Sequence, residues 1–178
     1  MKMMKDLICF FLLSLAITPN SMGHHPVLPQ PQQIVYGDGQ FELKDVTIGF
    51  VGKSCEEDQY AAQELTQFIS GAVNGKIRIR ESGTAGASII FERTGNADPL
   101  PLPGEKPGPG SRESYKIKVS SDKVIISSPS SAGLFYGVQT LRQLIGRSGE
   151  KAVIPEVEIA DWPSLAYRGF MIDRKSVV

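Results

Sequence analysis

The chain has 178 residues, of which 41% are hydrophobic and 21% charged, and its 19 Lys+Arg balance its 19 Asp+Glu. That length holds one domain of ordinary size with a modest core, plus short extensions. The balanced charge excludes a basic nucleic-acid footprint and a polybasic membrane patch.

Lys2 and Lys5 precede an apolar run from Leu7 to Ile17, and small or polar residues follow from Thr18 to Gly23. A positive start, a short hydrophobic stretch and a polar exit form the layout of a secretory signal peptide. Residues 1–23 are assigned to it, which predicts export to the periplasm or the cell exterior. The run is shorter than the ~20 apolar residues of an ordinary spanning helix, so no membrane span is expected after cleavage; the alternative is an uncleaved anchor. Cys9 lies inside the run, which leaves Cys55 as the sole cysteine of the mature chain. One thiol makes no internal disulfide and holds no metal by itself.

Residues 24–32 form a Pro/Gln-rich lead, expected to be extended and solvated, with His24 and His25 at its start. Ile34-Val35-Tyr36 and Gln40-Phe41-Glu42-Leu43 read as short strands around a Gly37-Asp38-Gly39 turn, and Val46 to Val51 as a third. Ser54-Cys55-Glu56-Glu57 has the form of a capping box, with Ser54 as the cap. Tyr60, Ala61, Leu65, Phe68, Ile69 and Ala72 then recur at helical spacing, predicting a core-facing helix stopped near Gly71 or Gly75.

Ile77 and Ile79 alternate with charged residues, and Ser88 to Phe91 is apolar; both read as strands. The prolines and glycines between Arg93 and Arg112 predict a surface loop. Tyr115 to Val119 and Lys123 to Ser127 form a hairpin about Ser121-Asp122 with one buried face. Ser128-Pro129 is read as the start of a second helix, lined by Leu134, Phe135, Val138, Leu141, Leu144 and Ile145 and closed by Gly146. Ala152 to Pro155 and Val157 to Asp161 read as separate short strands. The expected fold class is α+β: an antiparallel or mixed sheet with two helices packed on one face.

Catalytic motifs are missing. Both histidines lie in the lead, no His-Glu-x-x-His occurs, Ser82 to Gly86 lacks the Gly-Lys-Ser/Thr of a phosphate loop, and there is no Gly-x-Ser-x-Gly elbow. Glu56-Glu57 sits at a helix start, where carboxylates serve the dipole. No catalytic residue, metal ligand or cofactor site is assigned.

Two segments carry a resemblance. Ser131-Ala132-Gly133-Leu134-Phe135-Tyr136-Gly137-Val138-Gln139-Thr140-Leu141-Arg142-Gln143-Leu144 resembles the second helix of the N-terminal domain of family 20 β-N-acetylhexosaminidases. Asp161-Trp162-Pro163, with Tyr167-Arg168-Gly169-Phe170-Met171-Ile172-Asp173, is similar to the linker and first barrel strand of the same enzymes. The resemblance spans Gln33 to Asp173. It implies an N-terminal α+β domain over residues 33–161 and the start of a (β/α)8 barrel over residues 162–178, a barrel that typically needs ~250 residues. It further implies packing of the domain against its own barrel, and action on glycans ending in β-linked N-acetylglucosamine or N-acetylgalactosamine. The substrate's acetamido group would supply the nucleophile. The family's catalytic Asp-Glu pair lies beyond the first barrel strand, so the chain alone is expected to be inactive. Arg168 matches the arginine that grips hydroxyls of the terminal sugar, a task suited to a rigid fork of donors. The alternative for Arg168 is an ion pair with Asp161 or Asp173.

After Asp173 the family continues to an Arg-His pair and aromatics, whereas Arg174-Lys175-Ser176-Val177-Val178 departs from that pattern. This is the expected product of a frame change or early stop, cutting the chain as its barrel begins. A stand-alone exported module binding a glycan or a partner is the alternative from another class. A leading domain from a different glycosidase family is a third reading, which the Tyr-Arg-Gly segment disfavours.

Overall fold

A computed structural model describes residues 26–73, 75–96, 104–166 and 168. The signal segment, His24, His25 and Asp173 lie outside the described residues. Strands β1 (Gln33–Glu42), β2 (Thr47–Lys53), β3 (Arg78–Ile79), β4 (Ser82–Gly83), β5 (Ile89–Arg93), β6 (Tyr115–Val119), β7 (Val124–Ser128), β8 (Gly146–Ser148) and β9 (Lys151–Asp161) form one mixed sheet. Helices α1 (Glu56–Ile69) and α2 (Ser131–Leu144) complete it. The sheet order is β1-β9-β6-β7-β5-β2-β3, with β4 added on β2 and β8 on β9. The α+β expectation of a mixed sheet with two helices on one face holds.

The order follows from the connections. β2, β5 and β7 are parallel neighbours, and parallel strands need a crossover, which α1 supplies between β2 and β5. Strands β6 and β7 form the expected hairpin, Lys116 opposite Ser127 and Val119 opposite Val124. Helix α2 then carries the chain over β6 to β9, which pairs antiparallel with both β6 and β1. Ile48, Phe50, Ile89, Phe91, Ile117, Ile126, Ile154 and Ile159 are buried from the sheet against Ala61, Leu65 and Ile69 of α1 and Leu134, Val138 and Leu141 of α2. Phe50 and Phe91 meet edge to face at 5.5 Å.

Several local readings are corrected. The Gly37-Asp38-Gly39 segment is a bulge within one continuous β1, not a hairpin turn. β9 is likewise one strand through Pro155. The two irregularities interlock: Tyr36 pairs with Val157 and Gln40 with Pro155, while Glu156 accepts from the Gly39 amide at 3.1 Å. A Cβ on Gly37 or Gly39 would fall within 2.8 Å of that Glu156 side chain, so glycines are the residues that let it lie there.

The α1 box is shifted by one residue. Cys55 is the N-cap and its amide donates to Asp58 at 3.2 Å; the Ser54 hydroxyl donates instead to the Glu81 carbonyl at 2.7 Å. Similarly, Ser130 caps α2, accepting from the Ala132 and Gly133 amides. Tyr60 and Phe68 are exposed rather than core residues, because the buried stripe of α1 is Asp58, Ala61, Ala62, Leu65 and Ile69. α1 ends at Ile69 with Ser70 as its C-cap, so it stops beside Gly71, as expected, and not at Gly75. Gly146 opens β8 instead of merely closing α2.

Candidate functional site

The described part of the lead is mostly exposed, as expected, but it is docked at two points. Val27 and Pro31 are buried, and the Leu28 backbone pairs with one α2 side chain: its amide donates to Gln143 Oε1 at 2.8 Å, and Gln143 Nε2 donates to its carbonyl at 2.9 Å. A glutamine side chain here imitates a strand neighbour. Beside it α2 shows a polar stripe, Tyr136, Gln139, Thr140 and Gln143, at the i, i+3, i+4, i+7 spacing of one helical face. That stripe, the lead, Glu113 with Tyr115, residues 161–165 and Arg168 enclose an open cleft of about 470 Å³.

The cleft's floor is a buried hydrogen-bond relay. Tyr115 Oη donates to Asp161 Oδ2 at 2.8 Å, and the Thr140 hydroxyl lies 2.6 Å from the same phenol oxygen. The other Asp161 oxygen accepts from the Gln32 amide at 3.1 Å. Burial, reinforced by the Asp161 charge, pushes the Tyr115 phenol well above its ordinary value, although the Thr140 bond acts the other way. The exit segment is tied on two further sides: Gln32 Nε2 donates to Ser164 Oγ at 2.8 Å, and the Gly108 amide to the Pro163 carbonyl at 3.0 Å.

Arg168 stands at the rim, 53% exposed, and pairs with Glu113. This differs from the ion pair with Asp161 weighed in the sequence, since Asp161 is engaged by Tyr115 and Gln32; Asp173 lies outside the described residues. Glu113 is the partner that sequence reasoning missed. Its only local signal is an acidic residue at the end of a Pro/Gly-rich loop, next to an arginine.

Two glycines of the α2 motif have a packing role. A Cβ on Gly133 would sit 2.1 Å from Ser128 Oγ and 2.3 Å from the Ser114 carbonyl, and one on Gly137 2.6 Å from Ile126. They let the helix lie directly on β6 and β7.

A second polar cluster joins the starts of the two helices. Asp58, 2% exposed, accepts from Ser131 Oγ at 2.7 Å, and Arg93 reaches both, at 3.8 Å to Asp58 and 3.2 Å to Ser131. Cys55 Sγ lies 3.3 Å from Ser131 Oγ. These groups satisfy one another and join the helices. Among the described residues no group of three His, Cys, Asp or Glu side chains is placed to hold a metal ion, and no helix is long and apolar enough to cross a membrane. Among the described residues the cleft's polar groups tie the lead to α2 and to the segment after β9.

The family model of glycosyl hydrolase family 20, domain 2, matches residues 24–162. A beta-hexosaminidase of Porphyromonas gingivalis is 30% identical over 154 residues, which cover 83% of this chain and 18% of that protein. A beta-N-acetylhexosaminidase of Cellulomonas fimi is 30% identical over 150 residues, covering 83% of this chain and 28% of the relative. Among solved structures, the Flavobacterium johnsoniae chitobiase superposes with a TM-score of 0.67 at 24% identity, over 80% of this chain and 21% of that one. The Streptomyces plicatus N-acetyl-beta-hexosaminidase does so at 0.58 and 21%, over 76% and 26%. The chain thus spans between 18% and 28% of the length of these four proteins.

Proposed function

Since the chain belongs to glycosyl hydrolase family 20 as its domain 2, we propose that it serves as the non-catalytic leading domain of an exported β-N-acetylhexosaminidase. In this reading residues 33–161 pack against a (β/α)8 barrel that begins in residues 162–178, and that barrel removes terminal β-linked N-acetylglucosamine or N-acetylgalactosamine. Export rests on the Lys2/Lys5 and Leu7–Ile17 pattern of the first 23 residues.

The observation that carries the reading is the outward face of the helix pair. Tyr60, Phe68 and Tyr136 are exposed there. Tyr60 stacks on Phe135 at 6.1 Å, and the Arg142 guanidinium lies 4.4 Å over Phe68. Aromatic rings gathered on one face, with the opposite face of the helices already spent on the sheet, suit a large apolar partner.

Arg168 is assigned to the terminal sugar of the whole enzyme. Glu113 engages one of its Nη groups, which leaves the remaining donors of the fork for adjacent hydroxyls. The purified chain is expected to leave a chromogenic β-N-acetylglucosaminide intact. Turnover above a blank, removed by Arg168→Ala, would sink the reading.

A further inference from the structure

We propose that Glu113 is a positioning residue for Arg168, supplied by the non-catalytic domain to the segment that follows it. The inference rests on the reading of Arg168 above and adds the group that aims it.

Glu113 belongs to an irregular loop, yet its backbone is fixed on both sides. The Ser130 hydroxyl donates to the Arg112 carbonyl at 2.6 Å, and the Ser128 hydroxyl to the Ser114 carbonyl at 2.8 Å. The Glu113 amide itself donates to Ser111 Oγ at 3.2 Å. Ser128 and Ser130 flank the start of α2, so the helix entrance holds the two peptide groups that bracket Glu113. Gly133 keeps that arrangement open, because any side chain there would displace the Ser128 to Ser114 bond.

The carboxylate is fixed too. Its side chain is 15% exposed; one oxygen accepts from Arg112 Nη2 at 2.9 Å, and the other from Arg168. Arg112 is itself neutralised by Glu105, at 3.0 Å. With Glu105 answering Arg112, the charge of Glu113 is left to answer Arg168. A carboxylate anchored through backbone, neighbour and burial presents a defined direction to a guanidinium on a rim, and pre-set orientation is what a sugar-gripping arginine needs.

The test reads the Arg168 side chain directly, in the 178-residue chain labelled with 15N. Exchange of its Nη–H protons with water should be roughly fivefold slower than in exposed Arg147, since Nη2 is the group that donates to Glu113; that is the size of effect expected of a charge-assisted bond at a partly exposed site. Glu113→Gln should bring the Arg168 Nη–H rate to that of Arg147, while the Arg112 Nε–H stays slow through Glu105. Equal rates in the unmodified chain, or an Arg168 rate untouched by the substitution in a folded protein, would overturn the proposal. If Glu113→Gln does not fold, Glu113→Asp is read in the same way, since it keeps the charge but draws the carboxylate back from Arg168. No sugar is needed, so failure here removes the pairing alone, whereas hydrolysis by this chain removes the functional reading and leaves the pairing in place.

Discussion

At the scale of single residues, opposing effects of known size decide each outcome. Gly133 lies within α2, where alanine would gain about 1 kcal/mol of helix propensity. Its Cβ, however, would meet Ser128 Oγ and the Ser114 carbonyl at 2.1 and 2.3 Å. Overpacking of this kind costs ~1–3 kcal/mol and the lost buried hydrogen bond ~1 kcal/mol more, so Gly133→Ala should destabilise by about 2 kcal/mol in urea unfolding. Gly71→Ala is the control: a Cβ there meets nothing within 4 Å, and stability should hold or rise slightly. Tyr115 makes a pH prediction. Its neutral form is favoured in the fold, so the folded phenol titrates above the unfolded one. The associated stability is fully present below the unfolded value near pH ~10 and is lost as pH rises toward the folded value, at up to about 1.4 kcal/mol per pH unit for one proton. Tyr115→Phe should flatten most of that alkaline decline in melts taken above pH ~10; an unchanged slope would mean that the phenol is not held neutral by the fold.

At the scale of elements, the Asp58 cluster joins α1 to α2 and to β5 through Arg93. Asp58→Asn keeps the shape but removes the charge facing Arg93 and replaces one acceptor with a donor. A cost of about 2 kcal/mol is expected, because a buried partner is left unmatched; a melt unchanged in Arg93→Gln/Asp58→Asn relative to Arg93→Gln alone would place the loss in that ion pair. How far such elements could be read in advance depended on where their determinants sit. The β6–β7 hairpin and the buried stripe of α2 were legible because alternation and helical spacing are local properties of the chain. The caps were misplaced by one or two residues because Ser54 and Ser128 have capping chemistry but spend their hydroxyls on Glu81 and Ser114. Gly37-Asp38-Gly39 carries the same local signal whether it turns or bulges, and the difference lies in Glu156, more than 100 residues away in sequence. The cleft is harder still, since Leu28, Glu113, Gln143 and Asp161 meet only once the sheet order is set. Arg168 was singled out through its motif alone, and nothing local in the sequence pointed to its partner Glu113.

At the scale of the molecule, one layer of the fold is closed and the next is open. The sheet's inner face and the inner stripes of both helices share one core, while Tyr60, Phe68 and Tyr136 remain exposed on the far side of the helices. If that face evolved to lie against a barrel, the isolated chain carries an uncovered apolar surface, and mass action should make it associate with itself. Sedimentation from micromolar to millimolar concentration should then show a rising mean mass. Replacing two partly exposed rings removes on the order of 1–3 kcal/mol of favourable burial from each contact, and every 1.4 kcal/mol is about tenfold in affinity. Tyr60→Gln together with Phe68→Gln should therefore weaken self-association by roughly tenfold or more. The melting temperature should barely move, because neither ring belongs to the core. A chain that stays monodisperse throughout that range and melts cooperatively would speak for a self-sufficient exported module, and against a docking role for this helix face.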